Sequence, residues 1–360
     1  GNVFHTFRML FRLAKLMFFR QLPTVPTIFS FISVFSICIQ QCRIPLSNKG
    51  NRIWFCIFAC SNFYFTEMKL FYRELGSFDG QTLMIIHGWL GMSSHWLNIG
   101  RFLADCGYHV IIPDLPNHGR SFHTDMFSYD SMARFLHDFL RKHSSDKPIL
   151  IGHSMGGKIA MKMLDLYHGE YEKCIIVDIL PKDYPELMRQ GGIADTILKT
   201  PLSQFEYRKD LAEYLQKYVS DKGWLTLLLQ NIETKSVTHN PDAAEANPDF
   251  DETERRFNFA KRPSAETKRR FNFLKWRSNA IMLAENMPKV AGRVDLQPVD
   301  TPTLLIRGSK SEFTEAEDLN CFSEVFTNSR IVTMEDCSHW LFVDKPALFL
   351  KEVCTYLDSI

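Results

Sequence analysis

Not one Asp or Glu occurs in the first 66 residues of this 360-residue chain, although Arg8, Arg12, Lys15, Arg20, Arg43, Lys49 and Arg52 all do. The whole chain carries 42 basic and 41 acidic residues. With those seven positive charges set aside the remainder is mildly acidic, which excludes the basic footprint of a nucleic-acid-binding protein. A long hydrophobic run is also missing. Gln21 to Cys42 is uncharged, but the clean apolar stretch Thr27 to Ile39 falls short of the roughly 20 residues a spanning helix needs. Pro23 and Pro26 interrupt its approach. The nine cysteines are odd in number and lack the spacing of a disulfide framework. Cys106, Cys174, Cys321, Cys337 and Cys354 fall in predicted core elements, so reduced thiols are expected. The histidines have no metal-ligand spacing, and Cys38/Cys42 and Cys56/Cys60 belong to the acid-free stretch, so no metal site is predicted.

That stretch, residues 1–66, has three readings: an artefactual extension of translated non-coding sequence, a transit peptide, or an anchor preceded by the basic, amphipathic Phe7 to Arg20. Met68 to Gly76 reads as a natural start, because an alternating strand begins there. Cytoplasmic location is the default expectation, and a mitochondrial or membrane-anchored one depends on the extension. Oligomeric state is not legible.

What is present is order. Ile149-Leu150-Ile151-Gly152-His153-Ser154-Met155-Gly156-Gly157 is an aliphatic strand, a G-x-S-x-G turn and the start of a helix. A Ser on so sharp a turn is crowded on both sides, which is why Gly152 and Gly156 flank it. The pattern alone also fits a flexible loop; the strand before it and the helix after it favour the strained elbow. Around it strands and helices alternate: strands at Gln81 to His87, Tyr108 to Ile112, Cys174 to Val177, Thr303 to Ile306 and Arg330 to Met334. Helices are predicted from Ser93 or Ser94 to Asp105, and over Tyr129 to Lys142, Glu315 to Phe326 and Pro346 to Leu357. This predicts an α/β fold, a doubly wound and mostly parallel sheet over residues 67–180 and 300–360, with a helical lid at 181–299 inserted after the sixth strand. Ligands of such sheets bind at the carboxyl ends of strands, where His87-Gly88, Asp114 to Ser121, Ser154, Asp178, Ser311 and His339 fall. Within the lid, Leu211 to Val219 and Lys222 to Gln230 have helical spacing. Glu252 to Lys261 recurs as Glu266 to Lys275, which reads as a polar duplicated insertion near 238–270; its Arg-Arg pairs could alternatively contact an acidic group.

A Ser hydroxyl needs a base within hydrogen-bond reach, and the base an acid to orient it. His339, just after the last strand, is the expected base. His153 is expected to pack or hydrogen-bond locally, His87 to begin a backbone-donor loop, and His118 to be structural.

His87-Gly88, Asp114 with Asn117 to Ser121, Gly152 to Lys158, Val177-Asp178-Ile179-x-Pro181 and Ser338-His339-Trp340 resemble the α/β-hydrolase superfamily. Within it they are similar to the YbfF-type esterases and their mitochondrial abhydrolase-domain relatives, over about Met68 to Leu357. The resemblance implies a cofactor-free serine hydrolase, a carboxylesterase or thioesterase acting on small, short- to medium-chain acyl esters. In that fold the oxyanion hole comes from the backbone N–H of the residue after the nucleophile, Met155, and of a loop residue, Trp89. The superfamily's commonest plan puts an Asp after the strand Thr303 to Ile306, where this chain has Ser311. YbfF-type proteins share that Ser and take their acid from the preceding strand end, here Asp178, with Ser311 as a helper. Glu312 is the competing acid. Ser338 stands where these relatives have Gly. Ser154 excludes a haloalkane dehalogenase. A cofactor-free C–C hydrolase or lyase of the same fold, and a non-catalytic binding member, remain as alternatives.

Overall fold

The short aliphatic runs become the central strands because their apolar side chains can be buried on both faces of a sheet. In the computed structural model, which describes residues 69–144, 146–189, 191–238 and 270–359, the strands are β1 (Tyr72–Leu75), β2 (Thr82–Ile86), β3 (His109–Pro113), β4 (Ile149–His153) and β5 (Cys174–Val177), then β6 (Ile232–Thr238), β7 (Arg270–Trp276), β8 (Thr303–Gly308) and β9 (Ser329–Met334). All of the architecture described belongs to one unit, Leu70–Ile360. Seven strands form one sheet in the order β1-β3-β2-β4-β5-β8-β9. β1 runs antiparallel to β3, and the other neighbours are parallel.

Every residue of β2, β3, β4, β5 and β8 is buried, as expected of parallel strands covered on both faces. The period of two sorts their side chains between two cores. Leu83, Ile85, Val110 and Ile151 pack against α1 (Leu97–Asp105) through Ile99 and Leu103. Met84, Ile86, Ile111 and Leu150 face α2 (Tyr129–Leu140) and α3 (Met155–Leu166) through Met132, Leu136, Ile159 and Met163. The Ser128 side chain caps α2 by accepting the Ser131 N–H. The predicted serine cap on α1 does not form. Ser93–Trp96 is a 3-10 turn ahead of the helix. The Ser93 N–H donates to Asp114 Oδ1 at 2.6 Å, and the hydroxyl that would cap the helix instead accepts from Arg73 Nε at 3.2 Å.

The insertion follows β5, the fifth strand of the described chain rather than the sixth. It holds α4 (Ile193–Lys199), α5 (Arg208–Leu215), α6 (Lys222–Gln230), α7 (Ala280–Glu285) and α8 (Met287–Ala291). It also holds a hairpin that the sequence reading missed: β6 pairs antiparallel with β7, from Ile232↔Trp276 to Thr238↔Arg270. The end of the second repeat copy is therefore strand. Phe271, Phe273 and their polar neighbours alternate with the period of two, a signal obscured when the repeat is read for composition. The first copy lies outside the described residues. α9 (Asn320–Val325), α10 (Leu341–Asp344) and α11 (Pro346–Leu357) complete the chain. Among the described residues, no helix is long and apolar enough to cross a membrane.

Candidate active site

Strand register brings the candidate residues to one edge. Ile86 pairs with Gly152, His153 with Val177, and Val177 with Ile306. His87, Ser154 and Asp178, each one residue past its strand, therefore emerge side by side. Ser154 has φ 54° and ψ −124°, and Asp178 has φ 52°. Such left-handed backbone is costly for residues with a Cβ and persists where the surroundings impose it. The Ser154 carbonyl accepts the N–H groups of Gly157 (2.8 Å) and Lys158 (3.2 Å), which launches α3 from the turn. A Cβ on Gly156 would lie 2.2 Å from the Ile86 carbonyl oxygen, and one on Gly152 would lie 2.5 Å from that of Gly156. Gly156→Ala is thus expected to destabilise the fold by about 1–3 kcal/mol or more through overpacking against rigid backbone. Urea unfolding reads this directly, and an unchanged midpoint would contradict the packing described.

The buried carboxylate of Asp178 collects four donors. Gly308 N–H (2.9 Å) and Thr314 Oγ1 (2.7 Å) donate to Oδ1. His339 Nδ1 lies 2.8 Å from Oδ2, and Ser311 Oγ also donates to Oδ2. Burial opposes the charge, but the His339 hydrogen bond and charge, with the Ser311 and Thr314 hydroxyls, outweigh it and hold the carboxyl below the usual range. A depressed carboxylate pKa contributes stability that is full above the unfolded value of about 4 and is lost as pH falls toward the folded value. Wild type is therefore expected to lose stability more steeply than Asp178→Asn on acidification below about pH 4; parallel acid-unfolding curves would contradict this. Glu312, the competing acid, is exposed at the cavity rim.

His339 is held by Asp178 at Nδ1 and by two rings. Phe313 stacks on its ring with centroids 4.0 Å apart, and the His153 ring lies on another side at 4.6 Å. The His153 contact is not local in sequence: Nε2–H donates to the His339 carbonyl at 3.1 Å, across 186 residues. Burial, with the nearby His339, pushes the His153 pKa well down, so it serves as a neutral donor. Ser338 fits without a glycine because its N–H and hydroxyl both donate to Asp344 Oδ2 at 2.7 Å. Ser154 and His339 line the same cavity of about 460 Å³, with Trp89, Met155 and Ser311. No hydrogen bond joins Ser154 Oγ to the His339 ring in this structure, a pair that in free enzymes commonly tightens only around substrate.

Gly88 to Gly91 is a turn closed by Gly91 N–H to Gly88 carbonyl at 2.9 Å. It lies against the elbow: a Cβ on Gly88 would be 3.1 Å from Ser154 Cβ. His87 begins the loop. Its Nδ1–H donates to the Gly88 carbonyl (2.8 Å) and its Nε2 accepts the Leu115 N–H (3.0 Å); burial lowers its pKa to about 3, so the ring is neutral. The backbone N–H of Trp89 has no acceptor among the described residues, and Met155, at the first position of α3, has no intrahelical one. Neither N–H has a backbone acceptor among the described residues, and both lie next to Ser154 or to the turn packed against it. His118 is structural, its Nδ1–H bonded to the Pro116 carbonyl at 2.9 Å. Asp114 is scaffold as well, accepting the N–H groups of Ser93 (2.6 Å) and Arg120 (2.9 Å).

Sequence reasoning missed Thr314 and Phe313, and gave Lys158 no role beyond closing the Gly152 to Lys158 motif. Thr314 and Phe313 lie in a loop whose residue types carry no pattern. Lys158 is buried, and its Nζ donates to the carbonyls of Lys182 (2.8 Å), Ala291 (3.3 Å) and Gly292 (2.6 Å), tying both ends of the insertion to α3. A lysine on the apolar face of a helix was the available signal. Among the described residues no cluster of His, Cys, Asp or Glu could hold a metal ion.

Comparison with known proteins bears on the family and the fold. The profile of the alpha/beta hydrolase fold family matches residues 81–346. The sn-1-specific diacylglycerol lipase ABHD11 of Danio rerio is 26% identical over 79% of this chain and 80% of its own length. Esterase YbfF of Escherichia coli strain K12 is 24% identical over 78% of this chain and 94% of its own. Among solved structures, a marine microorganism esterase superposes with a TM-score of 0.65 at 27% identity, covering 80% of this chain and 99% of that one. With its sheet order, its strained Ser154 elbow and a matched span well beyond half its length, the chain belongs to the α/β-hydrolase-fold family.

Proposed function

We propose that this chain, an ester hydrolase of that family, cleaves short- to medium-chain acyl esters or thioesters through an acyl-enzyme on Ser154. The observation that carries the reading is the buried Asp178–His339 pair, 2.8 Å apart, opening on the cavity that Ser154 also lines. Asp178 holds the proton on His339 Nδ1, which leaves Nε2 with its lone pair free to act as base. Ser154 Oγ attacks the acyl carbon while its proton passes to His339 Nε2. The carbonyl oxygen takes the negative charge and is met by the N–H groups of Trp89 and Met155. Collapse expels the alcohol or thiol, which takes the proton from Nε2. Water, deprotonated by the same nitrogen, then releases the acid and restores Ser154. Asp178 stays ionised throughout.

The cavity supports the substrate class. Its volume of about 460 Å³ is within the range of small-molecule sites. Ile179, Leu187, Ile193, Val219, Met287 and Val290 give it an apolar lining for an acyl chain. Leu187, Ile193, Val219, Met287 and Val290 come from the insertion, the part that acts as a lid and selects chain length. The names of the similar proteins, an esterase and a diacylglycerol lipase, support an ester substrate over C–C bond hydrolysis or a lyase reaction. The test is a series of p-nitrophenyl esters from acetate to laurate in rapid mixing. A burst of about one equivalent of p-nitrophenol, with kcat/KM highest among the shorter chains, is expected; no turnover of any member would overturn the reading.

A further inference from the structure

The turn that presents the Trp89 N–H is gripped from both sides. On one side His87 Nδ1–H donates to the Gly88 carbonyl. On the other, Asn231 Nδ2 donates to the Leu90 carbonyl at 2.6 Å. Asn231 is not part of the sheet's loops: it joins α6 to β6 inside the insertion, and it is fully buried. Leu90, also fully buried, has φ 58°, a left-handed conformation that a leucine keeps only under restraint.

The amide orientation follows from its neighbours. Nδ2 also donates to the Leu227 carbonyl at 3.0 Å, so both of its hydrogens are used on acceptors that cannot donate. Oδ1 accepts from Ser278 Oγ at 2.6 Å, and that hydroxyl accepts the Gly119 N–H at 3.3 Å. Nδ2 thus lies between two carbonyls that can only accept, which by itself keeps the donor aimed at Leu90 from flipping away.

We propose that Asn231 is a positioning residue for the oxyanion-binding turn, and that seating of the α6–β6 junction against Leu90 sets the aim of the Trp89 N–H. This rests on the serine-hydrolase reading above. Asn231→Asp keeps the size of the side chain and its bond to Ser278, but turns an oxygen toward the Leu90 carbonyl. It is expected to lower kcat by about 10- to 100-fold, the loss typical of a misaimed catalytic donor, with KM within about twofold of wild type. Affinity for an alkyl trifluoromethyl ketone, whose hemiketal oxygen on Ser154 occupies the oxyanion site, falls by the same factor. Ser278→Ala, which removes the hydroxyl but leaves the Leu90 bond, is expected to keep kcat within about threefold. An Asn231→Asp protein with wild-type kcat, with only KM changed, or matched in kcat loss by Ser278→Ala overturns the proposal. So does one that cannot fold, since the role is then structural. Failure of wild type itself to react with a fluorophosphonate would instead remove the underlying reading.

Discussion

Ser154→Ala is expected to lower kcat on any accepted ester by about 10⁶-fold, the loss seen when a serine nucleophile is removed from a working triad, while the protein folds and melts as wild type does. Both halves follow from the elbow. The hydroxyl accepts and donates no hydrogen bond among the described residues, so its removal leaves no buried partner unsatisfied. Alanine bears the same Cβ, so the strain at φ 54° is unchanged. The loss therefore reports chemistry alone. Turnover of the variant at more than about a thousandth of the wild-type rate, after purification from host hydrolases, would show that the hydrolysis does not pass through this side chain.

Asp178→Asn is expected to cost about 10⁴-fold in kcat, and here the fold is expected to suffer too. Oδ2 faces His339 Nδ1 and Ser311 Oγ, and Oδ1 faces Gly308 N–H and Thr314 Oγ1. An amide cannot accept at both ends. If its nitrogen faces the histidine, Nδ1 becomes the acceptor and the proton moves to Nε2, the atom that must take the proton from Ser154. If it faces Gly308, a buried backbone N–H loses its acceptor, which costs about 1–3 kcal/mol. Glu312→Gln is the control. As an exposed rim residue it should leave kcat within about twofold. A reversed order, with Glu312→Gln crippling and Asp178→Asn mild, would move the acid to position 312.

Much of this was legible before any coordinates. The elbow announces itself because two glycines are needed within a backbone turn that a Cβ at Gly156 would foul by approaching the Ile86 carbonyl to 2.2 Å. Pro346–Leu357 and Lys222–Gln230 match their expected bounds as helices, since apolar spacing and flanking residues agreed there. Asp178 stood among the strand-end residues, but its role as the acid was reachable only through resemblance. Nothing in its own neighbours says that Thr314 and Gly308, more than a hundred residues away, will meet it. The β6–β7 hairpin is obscured in the sequence because β7 overlaps a highly charged repeat in which only Phe271 and Phe273 mark the alternation. Asn231 left no mark: a single asparagine at a helix end reads as an ordinary cap, and its meaning lies in the Leu90 carbonyl 2.6 Å away.

The central claim is that Ser154, His339 and Asp178 act as one unit on an acyl group. Covalent capture by a fluorophosphonate, followed by peptide mapping, tests it most directly. The account predicts a single adduct on the peptide carrying Ser154 in wild type and none in Ser154→Ala, with labelling of His339→Ala and Asp178→Asn slowed by orders of magnitude. An adduct on another residue, or labelling of Ser154 that proceeds at the wild-type rate without His339, would contradict it.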